Sequence, residues 1–166
     1  MNSAIETTVG EGIYLTSDLN AARGYAERRV NSPHITVTEP IPVVYDVNIE
    51  NARLINLRKS STLSAILPGF RALIWSTLTD GIDKPWNYEA VLSRALETID
   101  TGKVDISNLK ELTQPLTALF TQYLTGLGYD GLVTLEGGEG DEVGNHDTYL
   151  LFNSSKIKSL KARSIA

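Results

Sequence analysis

The chain has 166 residues, a formal net charge of −5 and 42% hydrophobic residues. This length suits one domain with a buried core, and the acidic balance argues against broad binding to a phosphate backbone. Cysteine is absent, which excludes disulfides, thiolate metal sites and a cysteine nucleophile. Residues 1–9 lack the charged start and apolar core of a secretory leader, so we expect a single cytoplasmic domain over residues 1–166.

The N-terminal third is predicted to begin with a strand and a helix. Ile13–Thr16 is a short apolar run entered through glycines, which is typical of a strand. A helix is expected over Leu19–Val30, with Ser17 or Asp18 as its N-cap. Further strands are predicted at His34–Val37, Val43–Val47 and Leu54–Leu57.

The middle of the chain is predicted to be helical. Pro68-Gly69 is expected to break residues 62–78 into two short helices, because proline lacks an amide hydrogen. Other helices are expected over 87–99, from Asp105 or Ser107, and over Leu116 to Leu127.

The C-terminal part returns to strands. We predict strands at 129–135 and 148–153 around an acidic, glycine-rich loop, followed by a basic tail of modest structure over 154–166. Strands at both ends with helices between them indicate an α+β fold whose terminal strands meet in one sheet.

The stretch Gly10–Ala26 places Tyr14 on the first strand and Tyr25 eleven positions later on the first helix. One interpretation is that both tyrosines pack at the edge of the core. The other is a cleft, because glycines let a ligand approach the backbone closely and two facing rings can hold a flat aromatic group.

This Gly-x-Gly-Ile-Tyr stretch, with its alanine-containing helix and second tyrosine, resembles the NAD-binding signature of the ADP-ribosyltransferases. It is most similar to the His-Tyr-Glu branch, which includes the diphtheria-toxin-like enzymes and the poly(ADP-ribose) polymerases. Residues 126–160 resemble the ending of ADP-ribosyltransferase-like domains in the polyvalent proteins of phages and mobile elements. The resemblance implies that Tyr14 and Tyr25 hold the nicotinamide ring of NAD, with Gly12 beside the ring and Ala22 near its amide.

The fold implied by the resemblance is an α+β fold with a split, mixed or antiparallel sheet and helices inserted between the N- and C-terminal strands. The implied function is transfer of ADP-ribose from NAD to a macromolecule, with a protein favoured over a nucleic acid and no membrane partner. Toxin-like or phage relatives would act in the cytoplasm of a host cell. The alternatives are a non-catalytic binding module of the same fold and a structural domain of a phage or mobile element.

Two departures from the family pattern bear on catalysis. The family has a glutamate four positions before an aromatic residue of the last strand, and counting back four from Phe152 gives Thr148. Asp147 after a small register shift and Glu142 from the loop are the alternative carboxylates, and a site without its carboxylate is the third alternative. The family's first strand, with its histidine or arginine, has no counterpart before Gly10, so we expect it to have been cut off, to come from another chain or to be gone.

Metal sites are not favoured by the remaining polar residues. His34 and His146 lie far apart in the sequence with no thiol between them, which does not suit zinc. The acidic loop 136–147 lacks the spacing of a calcium loop. It is either a solvated loop or, by the resemblance, a segment that contacts a basic or polar target.

Overall fold

The computed structural model describes residues 12–31, 41–136 and 144–164. The predicted strand His34–Val37 and the candidate Glu142 lie outside these residues. In chain order the described elements are β1 (Ile13–Thr16), α1 (Leu19–Val30), β2 (Val43–Ile49), β3 (Leu54–Asn56), α2 (Ser60–Leu78), α3 (Tyr88–Asp100), α4 (Leu109–Thr113), a 3₁₀ turn (Gln114–Leu116), α5 (Thr117–Gly126), β4 (Gly131–Glu136), β5 (His146–Leu151), a 3₁₀ turn (Ser154–Lys156) and β6 (Ile157–Ser164). The predicted α+β class is confirmed.

The strands form two sheets. Four of them lie in the order β1-β5-β4-β3, where β5 is antiparallel to both of its neighbours and β4 is parallel to β3. The other two, β2 and β6, form an antiparallel pair. The helices α2 to α5 come between β3 and β4 in the chain, so helices are inserted between the paired N- and C-terminal strands β1 and β5.

The main core lies between the four-stranded sheet and the helices. Phe70 of α2 and Phe120 of α5 are fully buried and meet edge to face, with ring centroids 5.0 Å apart. Apolar residues at helical spacing on α2 pack towards Ile55, Leu132 and Leu150 of the sheet. Burial of this continuous apolar surface is the main stabilising contribution.

The expected break at Pro68 is wrong, because α2 runs without interruption through this proline. Tyr123 of α5 supports the region, since its hydroxyl donates a hydrogen bond of 2.8 Å to the Ile66 carbonyl. Gly69 leaves room for that tyrosine, because a Cβ at this position would lie 2.3 Å from the Tyr123 hydroxyl oxygen. Tertiary packing therefore outweighs the loss of one helical hydrogen bond.

The prediction of modest structure in the C-terminal tail is also wrong. Residues 157–164 form β6, which pairs with β2 over nearly its whole length. Two ion pairs cross this pair of strands: Lys158 with Glu50 at 2.7 Å, and Arg163 with Asp46 at 3.0 Å. Two basic residues of the tail, Lys158 and Arg163, are thus paired with acidic residues on β2 and directly after it.

Candidate functional site

The pairing of β1 with β5 brings several of the predicted site residues to one face of the sheet. Tyr14 lies opposite Leu150, and Thr16 lies opposite Thr148. Directly paired residues of antiparallel strands project to the same face, and so do alternate residues of one strand. Tyr14, Thr148 and His146 therefore share a face, which we call the tyrosine face.

Tyr25 reaches the tyrosine face from α1. Its hydroxyl lies 3.4 Å from Nε2 of His146, and the two rings meet edge to face with centroids 5.5 Å apart. Asp18 positions the helix, because its carboxylate accepts hydrogen bonds from the amides of Asn20 and Ala21 at the helix start. The Tyr25 side chain remains 39% exposed, so packing does not seal it.

Small, buried residues lie between the two tyrosines along the sheet. Leu150, opposite Tyr14, lies four positions along β5 from His146, which contacts Tyr25, and this corresponds to roughly 14 Å of strand. Thr148 and its partner Thr16 occupy the middle of that interval. Tyr14 itself is half-buried and packs against the core beside Leu150. The two rings thus border one strip of sheet instead of lying on opposite sides of the molecule.

His146 is held in one orientation. His146 is only 5% exposed, and its Nδ1 lies 2.9 Å from the carbonyl oxygen of Gly144. Because a carbonyl oxygen only accepts, this bond requires a hydrogen on Nδ1. In the neutral ring, Nε2 is then an acceptor directed at the Tyr25 hydroxyl.

Thr148 has an unusual environment for a polar residue. It is 3% exposed, and its hydroxyl oxygen has no hydrogen-bond partner among the described residues. A buried hydroxyl without a partner costs about 1–3 kcal/mol. An unsatisfied polar atom therefore lies at the position where the resemblance predicts a carboxylate that contacts the ribose.

Asp147 projects to the other face of the sheet. The register of β5 is regular against β4 from His146 to Leu151 and against β1 from Thr148 to Leu151, so the small register shift considered for Asp147 is not observed. Its carboxylate forms an ion pair with Arg58, which follows β3. The structure therefore separates Asp147 from Tyr14 and Thr148.

Gly12 and Ala22, the two small residues of the motif, lie at the entry into β1 and on α1. Gly12 has a φ of +153°, and a Cβ there would lie 2.0 Å from the Leu151 carbonyl oxygen, so glycine is required for the entry into β1. Ala22 is half-buried on α1, one helical turn before Tyr25.

Sequence reasoning missed two residues on the tyrosine face. The last residue of β4, Glu136, pairs with the first residue of β5, His146. The signal was present, since two antiparallel strands joined by one loop must bring those ends together. The pairing of Glu136 with His146 was not predicted because the two strands were predicted too short at these ends. The first was predicted to end at residue 135 and the second to begin at residue 148.

A separate cleft lies at the opposite edge of the sheet. It has a volume of about 90 Å³ and is lined by Leu57, Leu63, Asp105 and Ile106 among others. Pockets for organic ligands start at about 300 Å³, so this cleft is too small for a dinucleotide.

No protein-family model, no curated protein and no solved structure matches this chain. Within residues 12–31, 41–136 and 144–164, no helix has both the length and the apolar character that crossing a membrane requires.

Proposed function

We propose that this protein is an ADP-ribosyltransferase-like domain that binds NAD on the tyrosine face and transfers ADP-ribose to a macromolecular acceptor. The observation that carries the proposal is the convergence of Tyr14, Thr148 and the Tyr25–His146 pair on one face of the four-stranded sheet. These residues come from the two ends of the chain.

The chemistry of Tyr25 suits a cationic ring. The guanidinium carbon of Arg28 lies 5.2 Å from the centroid of the Tyr25 ring, so this ring already interacts with one cation. The nicotinamide of NAD is also a flat cation, and stacking on a tyrosine contributes about 0.5–1.5 kcal/mol beyond the buried area. Arg28 and Arg29 in the last turn of α1 add positive charge suited to the pyrophosphate of NAD.

The test is NAD binding by isothermal calorimetry and thermal shift. At 100 times its dissociation constant, NAD should stabilise the protein by about 2.7 kcal/mol. The double variant Tyr14→Ala with Tyr25→Ala should lose this stabilisation. Tyr45→Ala is the matched control, because Tyr45 is 54% exposed and lies on β2 in the other sheet. Equal stabilisation of the wild type and the double variant would overturn the proposal.

A second candidate is a module that binds NAD without cleaving it. It is favoured by the uncharged Thr148 at the expected carboxylate position and by the pairing of Asp147 with Arg58 on the other face. Release of nicotinamide from NAD by the wild-type protein, measured by chromatography, distinguishes the enzyme from the binding module.

A further inference from the structure

We propose that the loop between α2 and α3, residues 79–87, is a docking site for a segment of another protein that presents lysine or arginine beside an apolar side chain. We call these residues the tryptophan loop. The inference goes beyond the proposed function, because the loop would bind such a segment with or without NAD.

Three large apolar side chains are exposed on this loop or shortly before it. Trp86 is 95% exposed and Ile82 is 68% exposed, and both belong to the loop. Trp75, in the last turn of α2, is 53% exposed, and its carbonyl accepts a hydrogen bond of 2.8 Å from the hydroxyl of Thr79, the first loop residue. A single exposed apolar residue is common, but tryptophan is highly buried on average and is enriched in the centres of protein interfaces. The group therefore indicates a surface that another molecule covers.

The tryptophan loop is held in place by polar contacts of its own residues. The Asp80 carboxylate accepts hydrogen bonds from the amide of Ile82 at 2.9 Å and from Nζ of Lys84 at 2.7 Å. Lys84 donates another bond, of 2.9 Å, to the Ile82 carbonyl, and its side chain is only 6% exposed. A segment that binds to Ile82 and Trp86 therefore meets a surface that is already ordered, which lowers the entropy cost of association.

The exposed charge beside these apolar side chains is negative. Lys84 is paired with Asp80 inside the loop, so these two charges offset each other. Asp83 on the loop and Glu89 in the first turn of α3 are exposed, and in the described part of the chain neither of them forms an ion pair. The loop and the start of α3 thus present two carboxylates whose charge is not compensated.

A cationic protein segment fits this combination of side chains. Tryptophan is the aromatic residue that attracts lysine and arginine cations most strongly, and Asp83 and Glu89 lie three positions before and three after Trp86 in the sequence. The net charge of −5 adds a long-range attraction for a basic partner. An anionic membrane surface or a nucleic acid would meet the same carboxylates with like charge, so neither is favoured.

The first experiment measures binding of a synthetic peptide of alternating arginine and leucine by isothermal titration calorimetry. We expect Trp86→Ala to weaken this binding on the order of tenfold, because it removes both the apolar contact and the cation–π contact. Tyr45→Ala removes an exposed aromatic residue from the other sheet and should leave the affinity unchanged. Because Trp86 is 95% exposed, its replacement should not disturb folding, and circular dichroism verifies this.

The second experiment separates the local charge from the net charge of the chain. Asp83→Asn combined with Glu89→Gln should weaken peptide binding roughly threefold and reduce its dependence on salt. Glu97→Gln combined with Glu111→Gln removes the same total charge from exposed positions of α3 and α4 and should have a smaller effect. A matched peptide with glutamate in place of arginine should not bind.

Tryptophan fluorescence identifies the contact itself. The chain has two tryptophans, so Trp75→Phe leaves Trp86 as the only one. Its emission should shift to shorter wavelength when the peptide covers the ring.

The proposal is overturned if the wild type does not bind the arginine peptide, if Trp86→Ala binds it equally well, or if the two carboxylate pairs have equal effects. Tighter binding of the wild type to vesicles that contain phosphatidylserine than to the peptide would overturn it in favour of a membrane. A homodimer in sedimentation velocity that Trp86→Ala dissociates would assign the surface to a second copy of the chain instead. None of these outcomes bears on NAD binding at the tyrosine face, which is tested separately.

Discussion

The hydroxyl of Tyr25 lies 3.4 Å from Nε2 of His146, although 121 positions separate the two residues in the sequence. The contact joins the first helix to the first residue of β5 and sets the position of the Tyr25 ring relative to Thr148. The two ends of the chain therefore meet at the proposed site. The position of the Tyr25 ring depends on His146, which lies outside the Gly10–Ala26 motif.

Replacing Tyr25 with phenylalanine tests that contact separately from stacking. We expect Tyr25→Phe to lower the free energy of unfolding by about 0.5–1.5 kcal/mol, because His146 loses the partner of its Nε2. NAD affinity should change little, since the ring remains, whereas Tyr25→Ala should weaken it. Urea denaturation and calorimetry measure the two effects, with the exposed Tyr45→Phe as the control. Unchanged stability in Tyr25→Phe would contradict a contribution of the hydroxyl.

The close approach of Gly69 to Tyr123 leads to a second prediction. Alanine normally stabilises a helix by about 0.5–1 kcal/mol relative to glycine, but a Cβ at position 69 would lie 2.3 Å from the Tyr123 hydroxyl oxygen. Because overpacking costs about 1–3 kcal/mol, Gly69→Ala should destabilise the protein. The cost should be smaller in a Tyr123→Phe background, where the nearest atom is gone. Additive effects in this double-mutant cycle would contradict the steric explanation.

The ion pair between Arg58 and Asp147 is expected to contribute little stability. The two side chains are 44% and 32% exposed, and pairs of this kind contribute about 0.2–1 kcal/mol. A double-mutant cycle with Arg58→Met and Asp147→Asn, measured by urea denaturation, should give a coupling energy in that range. The coupling should fall in about 1 M salt, where the Debye length is near 3 Å. A coupling of several kcal/mol that salt does not change would refute this assignment.

Local patterns predicted most of the elements but not the long-range geometry. The helix Leu19–Val30 was predicted with its observed bounds, since Asp18 offers a strong N-cap and the apolar spacing is regular. The helix expected from Asp105 or Ser107 begins at Leu109, because the Asp105 carboxylate accepts hydrogen bonds from Ser107 and Asn108 in a turn. Such local competition is difficult to judge from residue types alone.

The errors come from contacts between distant segments. Pro68 was predicted to end a helix, but α2 continues through it, with Ile66 and Phe70 on either side of the proline packed in the core. In β6, Leu160 and Ala162 alternate with Lys161 and Arg163, which is a strand pattern. The segment was predicted to have modest structure because of its basic composition. Near the proposed site, the sequence predicted Tyr14 on a strand and Tyr25 on a helix, but the face of Asp147 depends on the register of β5.

The pair formed by Arg71 of α2 and Asp100 of α3 makes stability depend on pH. The guanidinium donates two hydrogen bonds, of 2.5 and 2.9 Å, to the carboxylate, and these bonds, followed by the charge of Arg71, lower the pKa of Asp100. Because the pKa is lower in the folded than in the unfolded protein, the contribution is complete above the unfolded value, about 3.9 for aspartate, and is lost as pH falls through the folded value. In Arg71→Gln the pKa of Asp100 should rise towards its ordinary value, as followed by NMR titration of the carboxyl carbon. The stability difference from the wild type should be larger at neutral pH than in strong acid. Arg94→Gln, an exposed change on the same helix as Asp100, is the control, and an equal rise of the Asp100 pKa in both variants would contradict a direct effect of Arg71.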